Sequence, residues 1–116
     1  MIVIVEDDPD LLNALRFSLE LEGWSVVTYA TAEELLTAGA VPEEGCLVLD
    51  HILPGRSGLD LLSQLRARNI TLPAIIITTH PSAQLHVRAA ANGASIVEKP
   101  LLGPALTEAI RQALTL

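Results

Sequence analysis

A single cysteine, Cys46, stands in this sequence, inside an apolar run. It can build neither a disulfide framework nor a cysteine-ligated zinc site, which fits a reducing compartment and makes the cytoplasm the expected location. Positive charge is scarce too. Seven basic residues face 14 acidic ones, the formal net charge is −7, and no basic cluster occurs. A nucleic-acid phosphate backbone would be repelled, so any direct contact with nucleic acid must fall to a different domain. The same acids can instead hold a cation. No apolar run approaches the roughly 20 residues that span a bilayer, and the opening Met1-Ile2-Val3-Ile4-Val5 runs at once into acids, unlike a signal peptide. Linkers, repeats and low-complexity segments are also missing, so residues 1–116 are expected to form one domain.

Half of the residues are hydrophobic, enough for a sizeable core. Short β-branched runs near 2–5, 25–29, 46–50, 74–78 and 95–98 predict strands. Helical patterns near 9–22, 32–39, 58–68, 82–92 and 102–115 alternate with them. The punctuation agrees: Asp8-Pro9 offers an N-cap and a helix-compatible first position, and Thr31-Ala32-Glu33-Glu34 reads as a capping box. Gly23, Gly39 and Gly93 stand where helices should stop. Leu11, Leu15 and Leu19 form one apolar stripe, and Leu102, Leu106, Ile110 and Leu114 another. The runs Ile2-Val5, Cys46-Leu49 and Ala74-Ile77 are apolar on both faces, as parallel strands covered by helices must be. The expected fold is therefore α/β, a single doubly wound five-stranded parallel sheet flanked by five helices. Ligands of such sheets sit beyond the carboxyl ends of the strands.

The residues just past each strand are accordingly informative. Glu6-Asp7-Asp8 comes after the first, Asp50 ends the third, Thr78-Thr79-His80 closes the fourth and Glu98-Lys99-Pro100 the fifth. Two carboxylates about 4 Å apart repel by roughly 4 kcal/mol at an effective dielectric near 20. A cluster of them calls for a hard divalent cation such as Mg²⁺, or Mn²⁺, or for a buried positive charge. Lys99, the chain's sole lysine, can supply that charge. Each residue also has a blander role on its own. Asp50 could be a turn-forming acid, Asp8 a helix cap, Lys99 a solvated side chain and Thr78 a β-branched strand residue. The adjacent Thr79 leaves the register of that pair open. His51, His80 and His86 have no metal-ligand spacing and read as surface residues, and Trp24 and Tyr29 read as packing residues beside the second strand.

Taken together and in order, Val3-Ile4-Val5-Glu6-Asp7-Asp8, Asp50-His51-Ile52-Leu53-Pro54 with Gly58, Ile76-Ile77-Thr78 and Glu98-Lys99-Pro100 resemble the receiver domain of bacterial two-component response regulators over nearly the whole length. The resemblance implies strand order 2-1-3-4-5 and a phosphorylation-dependent switch. Asp50 would accept a phosphoryl group from a sensor histidine kinase or phosphotransfer protein. Asp7, Asp50 and the backbone carbonyl of Ile52 would bind Mg²⁺, with Glu6 acting through water, while Lys99 and Thr78 would engage phosphoryl oxygens. Such a domain catalyses only its own phosphorylation and dephosphorylation. The face made by the fourth helix, fifth strand and fifth helix would dimerise or contact an output domain. Asp8, Thr79, His80, Ile96 and Pro100 would be accessory, with His80 and Ile52 near enough to influence how water reaches the acyl phosphate.

Two departures bear on the switch. Ile96 stands where such domains usually carry a reorienting aromatic, and Thr79 stands where glycine, alanine or serine is usual. They motivate an alternative, a protein-interaction module of the same fold that works without phosphorylation. A Mg²⁺-dependent phosphohydrolase with an aspartate nucleophile is a third reading. The haloacid dehalogenase-like enzymes of that kind need an acid two residues after the nucleophile, and here that residue is Ile52.

Overall fold

The computed structural model describes residues 1–38, 41–101 and 103–115. Along the chain they form β1 (Ile2–Val5), α1 (Pro9–Leu21), β2 (Val26–Tyr29), α2 (Ala32–Ala38), β3 (Cys46–Asp50), β4 (Ile52–Leu53), β5 (Arg56–Ser57), α3 (Gly58–Ala67), β6 (Ala74–Thr78), α4 (Ala83–Ala91), β7 (Ala94–Glu98) and α5 (Ala105–Leu114). The five longer strands make one parallel sheet in the order β2-β1-β3-β6-β7, which is 2-1-3-4-5 when only those strands are counted. The chain winds outward from β1 to β2 and then back past β1 to β3, so the winding reverses between β1 and β3. In doubly wound sheets ligands bind at the carboxyl edge beside such a reversal.

Alternation along the strands divides the core into two layers. Ile2, Ile4, Val48, Ile75 and Ile77 pack with Leu15 and Leu19 of α1 and Leu106 and Ile110 of α5. Val3, Val5, Leu47, Leu49 and Ile76 face the other way, onto Leu35 of α2, Leu59, Leu62 and Leu65 of α3 and Leu85 of α4. β1, β3 and β6 are buried throughout, as their two-sided apolar character predicts. Trp24 and Tyr29 are half-buried against the two layers, consistent with packing.

The caps show why the helices start where they do. The Asp8 side chain accepts hydrogen bonds from the Asp10 and Leu11 amides, with Pro9 opening α1. At α2 the Glu34 amide donates to Thr31 Oγ1 at 3.1 Å, but Glu34 Oε2 accepts from the Ala30 amide, one residue before the cap itself. Gly23 and Gly93 take positive φ just after α1 and α4. Gly39 and Leu102 lie outside the described residues.

Two expectations need correction. The last helix begins at Ala105 rather than near 102, because Gly103 is left-handed and Pro104 forms the cap. Leu114, assigned to the buried stripe, is exposed at the helix end. After β3, Ile52 and Leu53 pair antiparallel with Ser57 and Arg56 in a small hairpin around Pro54 and the left-handed Gly55.

Candidate functional site

The sheet register brings the acids together. Ile4 lies opposite Val48, so two residues further along, Glu6 lies beside Asp50, with both on the side of α1 and α5. Glu6 is 1% exposed and Asp50 5% exposed. Glu6 keeps strand geometry through its amide, which donates to Tyr29 O. Asp7 turns outward and is exposed, yet one oxygen each from Glu6, Asp7 and Asp50 lie within 4.8 Å of one another. Asp8 caps α1 and does not belong to this cluster.

Lys99 closes the group. Its amide donates to Thr78 O at 2.7 Å, extending the pairing of β6 with β7, and the Lys99–Pro100 peptide is cis. Nζ lies 3.1 Å from Asp50 Oδ1 and 3.5 Å from Glu6 Oε2. Burial disfavours the ammonium, but its hydrogen bond and charge pairing with Asp50, joined by Glu6, outweigh this and hold its pKa above the ordinary lysine value.

Glu6 is the strained member. Its Oε1 accepts from the Asp8 amide at 3.2 Å, while Oε2 is buried with no hydrogen bond. Burial first, and then the neighbouring Asp50 charge, push its pKa up to about 7 despite Lys99. A crowded set of hard oxygens with an unsatisfied lone pair is suited to a small, hydrated divalent cation, which would neutralise the charge beside that oxygen.

The remaining residues sort by burial. Thr78 is buried at the end of β6, whereas Thr79 and His80 are exposed in the following loop, which resolves the register of the threonine pair. Ile96 is half-buried against the layer that contains Leu85. Ile52 and Pro100 are exposed. His80 and His86 are on the surface as expected, but His51 is half-buried and its Nδ1 has no hydrogen-bond partner. Gly58 allows the close approach of α3 to the acid: a Cβ there would collide with the Asp50 carbonyl oxygen. Cys46 is buried in β3, and desolvation pushes its thiol up to about 12, which favours the protonated thiol over the reactive thiolate. Among the described residues, no helix is long and apolar enough to cross a membrane.

The family model for the response regulator receiver domain matches residues 2–111. The chain belongs to that family. It is 40% identical over 114 residues to the C4-dicarboxylate transport transcriptional regulatory protein DctD of Pseudomonas aeruginosa, covering 97% of this chain and 25% of DctD. It is 37% identical over 112 residues to the transcriptional regulatory protein FixJ of Azorhizobium caulinodans, covering 96% of this chain and 53% of FixJ. The chain thus spans between a quarter and about half of these relatives. Among solved structures, the CheY-like response regulator receiver domain protein of Methanospirillum hungatei superimposes with a TM-score of 0.88 at 30% identity, covering 98% of this receiver domain and 92% of that chain. The doubly wound fold and strand order inferred from the sequence hold.

Proposed function

We propose that this receiver domain, residues 1–116 as one unit, is a phosphorylation-controlled switch with Asp50 as its phosphoacceptor. The observation that carries the reading is the 3.1 Å contact between Lys99 Nζ and Asp50 Oδ1, made inside a buried acidic cluster at the carboxyl edge of the sheet. A carboxylate held by one cation at the carboxyl edge of the sheet is available as a nucleophile.

The donor is the phosphohistidine of a sensor kinase or phosphotransfer protein. An Asp50 carboxylate oxygen forms the new O–P bond as the P–N bond breaks, and the electron pair of that bond returns to the donor imidazole. Asp7, Asp50 and the Ile52 carbonyl would hold Mg²⁺, or Mn²⁺, with Glu6 reached through water. When bound, the cation supplies neutralisation of the charge on the transferred group. Lys99 neutralises a second side of that group from its place beside Asp50. Thr78, buried at the adjacent strand end, has a hydroxyl to donate to a phosphoryl oxygen.

The added charge then favours the arrangement in which Thr78 and Lys99 lie closest to it, a shift between two conformations of one fold. α4, which buries Leu85 and Ala89, is the element assigned to shift. The surface of α4, β7 and α5 would carry the output, as a homodimer contact or toward an output domain or effector. Ile52 at the second position after Asp50 leaves no general acid for turnover of phosphate esters, so the domain acts only on its own phosphoryl group. The test is intact-mass measurement after incubation with acetyl phosphate and Mg²⁺. Wild type should gain one phosphoryl group and Asp50→Asn none; an equal gain in both would overturn the assignment.

A further inference from the structure

We propose that Arg56 is a positioning residue for the cation site, clamping the β4–β5 hairpin so that the Ile52 carbonyl is held beside Asp50. This role rests on the assignment of that carbonyl as a ligand and extends the site to a side chain outside the acidic cluster.

Ile52 cannot position itself. Its side chain is 72% exposed, so its own burial does little to orient the peptide. The hairpin that contains it has two residues in each strand, too little pairing to be rigid alone. Its ends are tied down: the Gly58 amide donates to His51 O at 2.8 Å, Ser57 Oγ accepts from the Asp60 amide at the start of α3, and Leu53 is buried. Beyond these contacts the turn of the hairpin, Pro54 and Gly55, is exposed to solvent.

Arg56 is paired with Leu53 across the hairpin, and its side chain adds contacts to the helices behind. Its Nη1 donates to Gln64 Oε1 of α3, and its Nη2 lies 3.1 Å from Glu33 Oε1 of α2. One planar guanidinium therefore joins the hairpin to two helices, with 28% of its side chain exposed. A lysine could carry the charge but not the two-directional fork. Supporting groups of this kind set how well a ligand atom is presented to a metal.

Charge and position make opposite predictions, which makes the test decisive. Arg56 is cationic, so by electrostatics alone its removal would tighten cation binding; loss of a clamp would loosen it. Mg²⁺ is titrated calorimetrically into wild type, Arg56→Met and Arg56→Lys at a temperature where circular dichroism shows all three folded. Amide exchange of residues 52–57 and metal-free thermal midpoints are recorded alongside. We expect the Kd for Mg²⁺ to rise roughly three- to tenfold in Arg56→Met, with a smaller rise in Arg56→Lys and faster exchange across the hairpin in both. An unchanged or tighter Kd in Arg56→Met, whatever its thermal midpoint, would overturn the clamp while leaving the acidic site standing. Absence of Mg²⁺ binding by wild type would overturn the site assignment itself, and the clamp with it.

Discussion

Replacing Glu6 by glutamine should make the metal-free domain more stable at high pH and change it little at low pH. Glu6 Oε2 is buried without a hydrogen bond, and the carboxyl holds its proton up to about 7 against an ordinary value of 4.5. Proton linkage sets the sign. The unfolded chain releases the Glu6 proton near 4.5 while the folded one keeps it to about 7, so folding loses stability as pH rises through that window. The loss is about 1 kcal/mol at pH 5 and about 3 kcal/mol at pH 8. Glutamine keeps the oxygen that accepts from the Asp8 amide and cannot ionise, and its amide can donate to Asp50. Urea denaturation of wild type and Glu6→Gln, without divalent cations, should therefore show a difference in favour of the variant that grows by about 2 kcal/mol between pH 5 and pH 8, or roughly 1–2 M in midpoint. Titrating groups remote from Glu6 cancel in that difference. A gap independent of pH would refute the claim that this acid is strained by burial beside Asp50.

The same linkage predicts that Mg²⁺, which competes with the Glu6 proton, will raise the thermal midpoint more at pH 8 than at pH 5; equal rises in differential scanning calorimetry would contradict it. Lys99→Met should slow phosphorylation by acetyl phosphate about 10²–10³-fold without moving the adduct, as read by time-resolved intact mass. Gly58→Ala should cost about 1–3 kcal/mol in urea denaturation, because its Cβ meets the Asp50 carbonyl. Arg66, whose Nε and Nη1 donate to Asn92 O and Ile70 O at 2.9 and 2.8 Å, ties the end of α4 to the end of α3. Arg66→Met should cost about 1–2 kcal/mol, and hydrogen exchange should accelerate through α4.

Much of this arrangement can be read from the chain because the buried strands carry an unambiguous signal. Runs such as Cys46-Leu49 and Ala74-Ile77 are apolar on both faces, as strands of a covered parallel sheet are, and Glu6, Asp7, Asp50 and Thr78 lie at or just beyond the end of such a run, while Lys99 follows the more exposed β7. The division of labour within Glu6-Asp7-Asp8 is less legible. Strand alternation carried past Val5 would place Glu6 with Ile2 and Ile4, but its burial depends on the partner strands and on Lys99 arriving from 93 residues away. The β4–β5 hairpin is invisible in the sequence, since two residues per strand leave no period to detect. Arg56 has no sequence signature because its partners Glu33 and Gln64 lie on separate helices and meet it only once the layers pack.

The identity of the modified side chain is the sharpest test of Asp50 as phosphoacceptor. After incubation with acetyl phosphate and Mg²⁺, borohydride reduction converts an aspartyl phosphate to homoserine, which tandem mass spectrometry can locate in the tryptic peptide ending at Arg56. Homoserine is expected at position 50, with intact aspartate at position 7. Reduction at Asp7, Asp8 or any other acid, with Asp50 unmodified, would contradict the assignment.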